Sequence, residues 1–271
     1  MGYNNVTPNA EGSRAPLFGL CFTPVSGKTF TLADFKPVNG TMSSEDDAIQ
    51  VLNPDKLSQN LELFAYYDEA TARQAEKDDG ESEGAYQEYV GWWDILHGDG
   101  IGDIPAGDYE ISAGAGFMGA FDSGNEVKFT SAGEAPTVPT SITANPDGTR
   151  APIFNNYLPR AITLKYFTPV DGMMSSEDDA IQVLNPNKLS QNLELFAYYD
   201  TSTARQAEKD DGESEGTYDE YIGWWDILHG DGIGDIPAND YEIPAGTGFM
   251  GAFDAGNEID FQLPSSTATL D

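Results

Sequence analysis

Ser43-Ser44-Glu45-Asp46-Asp47-Ala48-Ile49-Gln50-Val51-Leu52-Asn53-Pro54 returns as Ser175-Ser176-Glu177-Asp178-Asp179-Ala180-Ile181-Gln182-Val183-Leu184-Asn185-Pro186. From these segments to Phe121 and Phe253, roughly nine positions in ten agree at a fixed offset, so one unit is written twice. The leading segments correspond more loosely. Gly12-Ser13-Arg14-Ala15-Pro16-Leu17-Phe18 answers Gly148-Thr149-Arg150-Ala151-Pro152-Ile153-Phe154, and the first copy then carries about four extra residues around Ser26-Gly27-Lys28 before the copies rejoin at Thr31-Leu32 and Thr163-Leu164. Near-identity elsewhere makes the divergent positions the informative ones. Gly19-Leu20-Cys21-Phe22 stands against Asn155-Asn156-Tyr157-Leu158, which predicts that the two copies meet different neighbours there.

Each copy reads as a series of short strands. Ile49 and Val51 share one face, and Leu61, Leu63, Ala65 and Tyr67 oppose Glu62, Phe64 and Tyr66. Phe117 and Phe121 oppose Met118, and Val127 and Phe129 oppose Glu126 and Lys128. Turn-forming clusters separate the runs: Asn53-Pro54-Asp55, Asp79-Gly80, Gly98-Asp99-Gly100 and Pro105-Ala106-Gly107-Asp108. Ser123-Gly124-Asn125, between two strand-like runs, predicts a tight hairpin. Helical composition is confined to residues 69–77, where a short surface helix is expected. This pattern predicts an all-β protein: two tandem β-sandwich modules, Ig-like or jelly-roll-like, from an internal duplication. The expected boundaries are 1–134 for the first module, 135–140 for a stiff linker, and 141–271 for the second. Residues 263–271 have no evident place in the repeat.

Charge narrows the partners. The chain has 46 Asp+Glu against 13 Lys+Arg, a formal net charge of -33. Such a field repels nucleic acid and anionic lipid and attracts divalent cations or basic surfaces. With 13 Tyr, 14 Phe and 4 Trp the chain still has the material for a core. Cys21 is the only cysteine, so no internal disulfide forms. No apolar run is long enough for a membrane span, and the first residues lack the pattern of a signal peptide.

Three segments could carry chemistry. Trp92-Trp93-Asp94 and Trp224-Trp225-Asp226 place one indole on each face of a strand. The outward ring, with Tyr66 or Tyr67 beside it, would either stack on a sugar, lie beneath the acidic loop, or make a subunit contact. The loop from His97 to Asp103, repeated from His229 to Asp235, could aim Asp99 and Asp103, or Asp231 and Asp235, at a calcium ion. An Asp-Gly turn forms equally well without metal. The acidic runs at 43–47, 175–179 and 78–84 read as solvated surface that takes up counter-ions when two such surfaces meet. No Gly-x-Ser-x-Gly elbow, phosphate-binding loop or dinucleotide fingerprint is present, so no enzymatic activity is expected.

Ala48-Ile49-Gln50-Val51-Leu52-Asn53-Pro54, Phe64-Ala65-Tyr66-Tyr67-Asp68, Gly91-Trp92-Trp93-Asp94 and Ala113-Gly114-Ala115-Gly116-Phe117 follow one another in an order that resembles tandem β-modules of secreted bacterial surface and fibre-forming proteins. The resemblance covers most of each copy and implies an extracellular or cell-surface structural subunit that binds copies of itself. In one version, residues 1–8 complete a sheet edge of the next subunit. A tandem carbohydrate-binding protein with Trp platforms, and a viral capsid or tail-decoration protein located in the virion, are the alternatives.

Overall fold

The computed structural model describes residues 2–6, 17–22, 29–39, 48–52, 61–80, 84–97, 104–111, 114–120, 127–137, 140–143, 153–171, 180–184, 193–210, 212, 216–229, 236–252 and 260–269. The first copy contains β1 (Gly2–Val6), β2 (Leu17–Gly19), β3 (Phe30–Thr31), β4 (Phe35–Asn39), β5 (Ala48–Leu52), β6 (Leu61–Tyr67), β7 (Gly91–Asp94), β8 (Ile104–Pro105), β9 (Glu110–Ile111), β10 (Gly116–Ala120) and β11 (Lys128–Gly133). The second contains β12 (Thr140–Thr143), β13 (Ile153–Asn155), β14 (Ile162–Thr163), β15 (Thr168–Asp171), β16 (Ala180–Leu184), β17 (Leu193–Tyr199), β18 (Gly223–Asp226), β19 (Ile236–Pro237), β20 (Glu242–Ile243), β21 (Gly248–Ala252) and β22 (Asp260–Leu263). Among the described residues the protein is all-β apart from helices α1 (Glu69–Asp78) and α2 (Thr201–Asp210) and short 3-10 turns. No helix among the described residues is long and apolar enough to cross a membrane.

One topology appears twice. A six-stranded antiparallel sheet runs β2-β10-β5-β6-β7-β8, and its counterpart runs β13-β21-β16-β17-β18-β19. A three-stranded sheet, β1-β11-β4 or β12-β22-β15, accompanies each, with a two-stranded ladder, β3-β9 or β14-β20. Aromatic side chains from the large and small sheets meet in one core per copy. Phe35 packs 5.1 Å from Trp92 and Phe129 lies 5.3 Å from Phe18, while Phe167 stacks on Phe261 at 4.4 Å. Trp92 Nε1 donates to the carbonyl of Phe35 and Trp224 Nε1 to that of Phe167, both at 2.9 Å, so neither indole N–H is buried without a partner.

Two sequence expectations change. Residues 123–125 lie outside the described residues, but the flanking strands do not form a hairpin: β10 belongs to the six-stranded sheet and β11 to the three-stranded one. Both sides of β10 are occupied, by β2 and β5, so the chain after it crosses to the other sheet. Residues 2–6, expected to reach another subunit, pair antiparallel with β11 of their own chain, as β12 pairs with β22. The C-terminal segment also has a place. Arg160 donates to the carbonyls of Ser265 and Ala268 at 2.8 and 2.9 Å, and Ser266 N donates to Pro136 O at 2.7 Å.

The two copies meet across an approximate two-fold relation. Phe18 bridges Thr247 and Ala115 bridges Phe154, and each member of one bridge is the repeat partner of a member of the other. Gly19 N donates to Gly246 O and Asn155 N to Gly114 O, both at 3.0 Å. Gly114 and Gly246 hold φ of 83° and 73°, the left-handed conformation that glycine adopts without strain. Gly19 and Asn155 are themselves repeat partners and touch each other, so they mark the pseudo-axis. A Cβ on Gly19 would come within 2.3 Å of Asn155 Cγ. Asn155, fully buried, donates from Nδ2 to Leu20 O at 2.8 Å. The divergent leading segments therefore face each other.

Candidate functional site

Strand pairing assembles the same three-residue cluster in each copy. β6 pairs with β7 so that Phe64 faces Asp94, and Ile95 N continues the ladder to Leu63 O at 3.0 Å. Asp94 Oδ1 then accepts from the amides of Leu96 and His97, both at 3.0 Å, turning the chain back on itself. This turn brings the His97 imidazole over the end of β6. Its Nδ1 lies 2.9 Å from Asp94 Oδ2 and 3.1 Å from Glu62 Oε2. In the second copy the corresponding distances are 2.9 Å from His229 to Asp226 and 3.2 Å to Glu194. All three ligand-type atoms of each cluster fall within 4.8 Å of one another. In each copy the ring nitrogen thus stands within hydrogen-bonding distance of two carboxyl groups.

The cluster is graded from interior to solvent. The side chain of Glu62 is 6% exposed, Asp94 14% and His97 48%. Glu62 shares a strand parity with Phe64 and Tyr66, both of which pack into the core, and it stands where the core ends. The negative field is felt nearby: the Tyr241 phenol is pushed up to about 12, first by burial and then by Glu194 and Asp226.

An aromatic group lies on the other side of β7. Trp93 stacks with Tyr67 at 5.6 Å and with Tyr89 at 6.0 Å, and its Nε1 donates to Tyr89 O at 2.8 Å. Trp225 repeats this with Tyr199 and Tyr221. The segment supplying Tyr89 is held by a buried glutamate of α1: Glu76 Oε1 accepts from the amides of Gly84 and Ala85, as Glu208 does from Gly216 and Thr217. The helix starts on Asp68, whose side chain accepts from Thr71 N at 2.9 Å.

Of the residues singled out from sequence, Trp92 and Trp224 are core and offer no face to a ligand. Tyr66 meets Trp92 edge-on at 5.4 Å and belongs to the core wall. Trp93, Trp225 and Tyr67 form the half-buried stacks. Asp99, Asp103, Asp231 and Asp235 lie outside the described residues. Sequence reading did not single out Glu62 or Asp94 as partners of the histidine. The available signals were a lone acid inside the apolar run Leu61–Tyr67, and the placement of both histidines of the chain three residues after Asp94 and Asp226. A comparison with protein-family models, curated proteins and solved structures finds no match to this chain.

Proposed function

We propose that the chain is a non-catalytic structural subunit: two β-sandwich modules, duplicated from one, that assemble with copies of themselves into an extracellular polymer. The observation that carries this reading is the pseudo-two-fold junction. It sets the β2 and β13 ends of the large sheets against each other, and β8 and β19 are the outermost strands of those sheets among the described residues. Each outermost strand lies five strand spacings, about 24 Å, from its junction strand. Both outer edges carry the same exposed apolar pair, Leu96 with Ile104 and Leu228 with Ile236. A unit with equivalent ends forms an open chain when each end meets a like end.

Strand addition is not the favoured contact, because β8 and β19 are two residues long and contain Pro105 and Pro237, which lack the N–H a new ladder needs. Side-chain contact between apolar pairs fits better. The extracellular setting rests on the sequence resemblance alone. Negative-stain electron microscopy of the chain, with and without divalent cations, tests the reading. Filaments that disappear in the Leu96→Glu and Leu228→Glu double variant are expected. Isolated particles under every condition refute it. A glycan-binding reading draws on the Tyr67–Trp93–Tyr89 stack, and binding on a glycan array that Trp93→Ala with Trp225→Ala abolishes would favour it.

A further inference from the structure

We infer that Glu62, Asp94 and His97, and equally Glu194, Asp226 and His229, form two binding sites for a divalent transition ion of the zinc class. The first argument is spacing. Metal–oxygen and metal–nitrogen bonds near 2.1 Å place neighbouring ligand atoms about 3.0 Å apart in octahedral geometry and about 3.4 Å apart in tetrahedral geometry. Nδ1 of His97 lies 2.9 and 3.1 Å from its carboxylate neighbours, and Nδ1 of His229 lies 2.9 and 3.2 Å from its own. Both nitrogen–oxygen separations in each cluster thus have the length of one edge of a coordination shell, all three ligand-type atoms lie within 4.8 Å of one another, and the imidazole stands on the exposed side.

The second argument is charge. Each cluster sets two carboxyl groups against one imidazole, one of the carboxyl groups only 6% (Glu62) or 7% (Glu194) exposed, in a chain whose formal net charge is -33. A buried carboxylate is stable when a cation or strong donors compensate it. A divalent ion on the cluster adds positive charge beside both carboxyl groups.

The third argument is ligand type. The exposed acids of this chain attract any hard cation weakly, but two oxygens with one imidazole nitrogen select zinc-class ions over Mg2+ or Ca2+. The inference stands apart from polymerisation, since all three ligands of each site belong to one copy of one chain.

The test is equilibrium dialysis of the chelator-stripped chain against Zn2+, in physiological salt with a large excess of Mg2+ to occupy the diffuse acidic surface. Two zinc ions per chain are expected. His97→Gln, at a half-exposed position that leaves the core intact, lowers this to one, and His97→Gln with His229→Gln to none. Glu62→Gln weakens its site by at least about 100-fold, more than loss of an outer-shell partner does. The Co2+-substituted chain should show a d–d absorption band that halves in His97→Gln. Zinc uptake abolished by Mg2+, or a stoichiometry of two that survives both histidine substitutions, overturns the inference. No uptake at all also overturns it and leaves the cluster as a hydrogen-bonded turn.

Discussion

Gly248→Ala tests the junction directly. A Cβ built on Gly248 would lie 2.4 Å from Phe18 N and 2.6 Å from Leu17 C, and both are backbone atoms that cannot rotate aside. Restoring an ordinary separation near 3.5 Å requires β2 to retreat by about 1 Å. A retreat of that size stretches the Gly19 N to Gly246 O bond, now 3.0 Å, beyond hydrogen-bonding range. Overpacking costs about 1–3 kcal/mol and the lost bond about 1 kcal/mol, so the variant loses about 2–4 kcal/mol. For a chain of this size that corresponds to roughly 5–10 °C in Tm. Gly116→Ala strikes the same junction from the other copy, with contacts of 2.8 Å to Ile153 Cγ2 and Phe154 O, and should also destabilise. Because both substitutions push apart the same pair of surfaces, the double variant should lose clearly less than the sum of the two. Gly107→Ala is the control: its Cβ would meet only Ala33 Cβ at 3.9 Å, so stability should stay level or rise slightly. Urea denaturation followed by circular dichroism measures all four. If Gly248→Ala behaves like Gly107→Ala, or the two junction losses add in full, the two-fold contact is wrong.

Gly19→Asn alone should destabilise by about 1–3 kcal/mol, since it places a side chain where Asn155 already lies; adding Asn155→Gly should recover some of the loss in the same denaturation assay. Recovery absent from the pair would show that these positions do not share one space. Glu208 has its carboxyl held below the ordinary value of 4.5, chiefly by the Thr217 amide, so its stabilising contribution is present above that value and lost as pH falls through the folded-state pKa. Glu208→Gln should therefore be less stable than the parent at neutral pH, with the difference closing in acid below about pH 4.5 on a thermal-melt series. Tyr241, pushed up to about 12 against an ordinary value of 10.0, favours the protonated fold, so stability falls as pH rises between those values. Difference absorbance of the phenolate in the parent and Tyr241→Phe should show one late-titrating tyrosine lost, and an unchanged titration would disprove the assignment.

Much of this fold is legible in local sequence because it rests on local chemistry. Alternation marks β5 and β6, Asp68 caps α1, and adjacent indoles on a strand send Trp92 inward and Trp93 outward. Within the near-identical part of the repeat, a feature built by one copy is built by both, as the paired His97 and His229 clusters are. Strand partnership is different, because it depends on contacts between segments far apart in the chain. Ser123-Gly124-Asn125 has hairpin chemistry, yet β10 and β11 enter different sheets once β2 and β5 have taken both edges of β10. The Glu62–Asp94–His97 cluster is half local, since Asp94 and His97 share one turn, and half tertiary, since only the β6–β7 register delivers Glu62.

Composition, period and repeat are properties of the string, so an acidic, all-β chain with a repeated sequence and an aromatic core could be read without coordinates. How the copies face each other depends on packing between segments distant in the chain. Gly19 and Asn155 differ between the copies, but a difference carries no direction until packing places both residues on one axis, where the missing side chain of one makes room for the other.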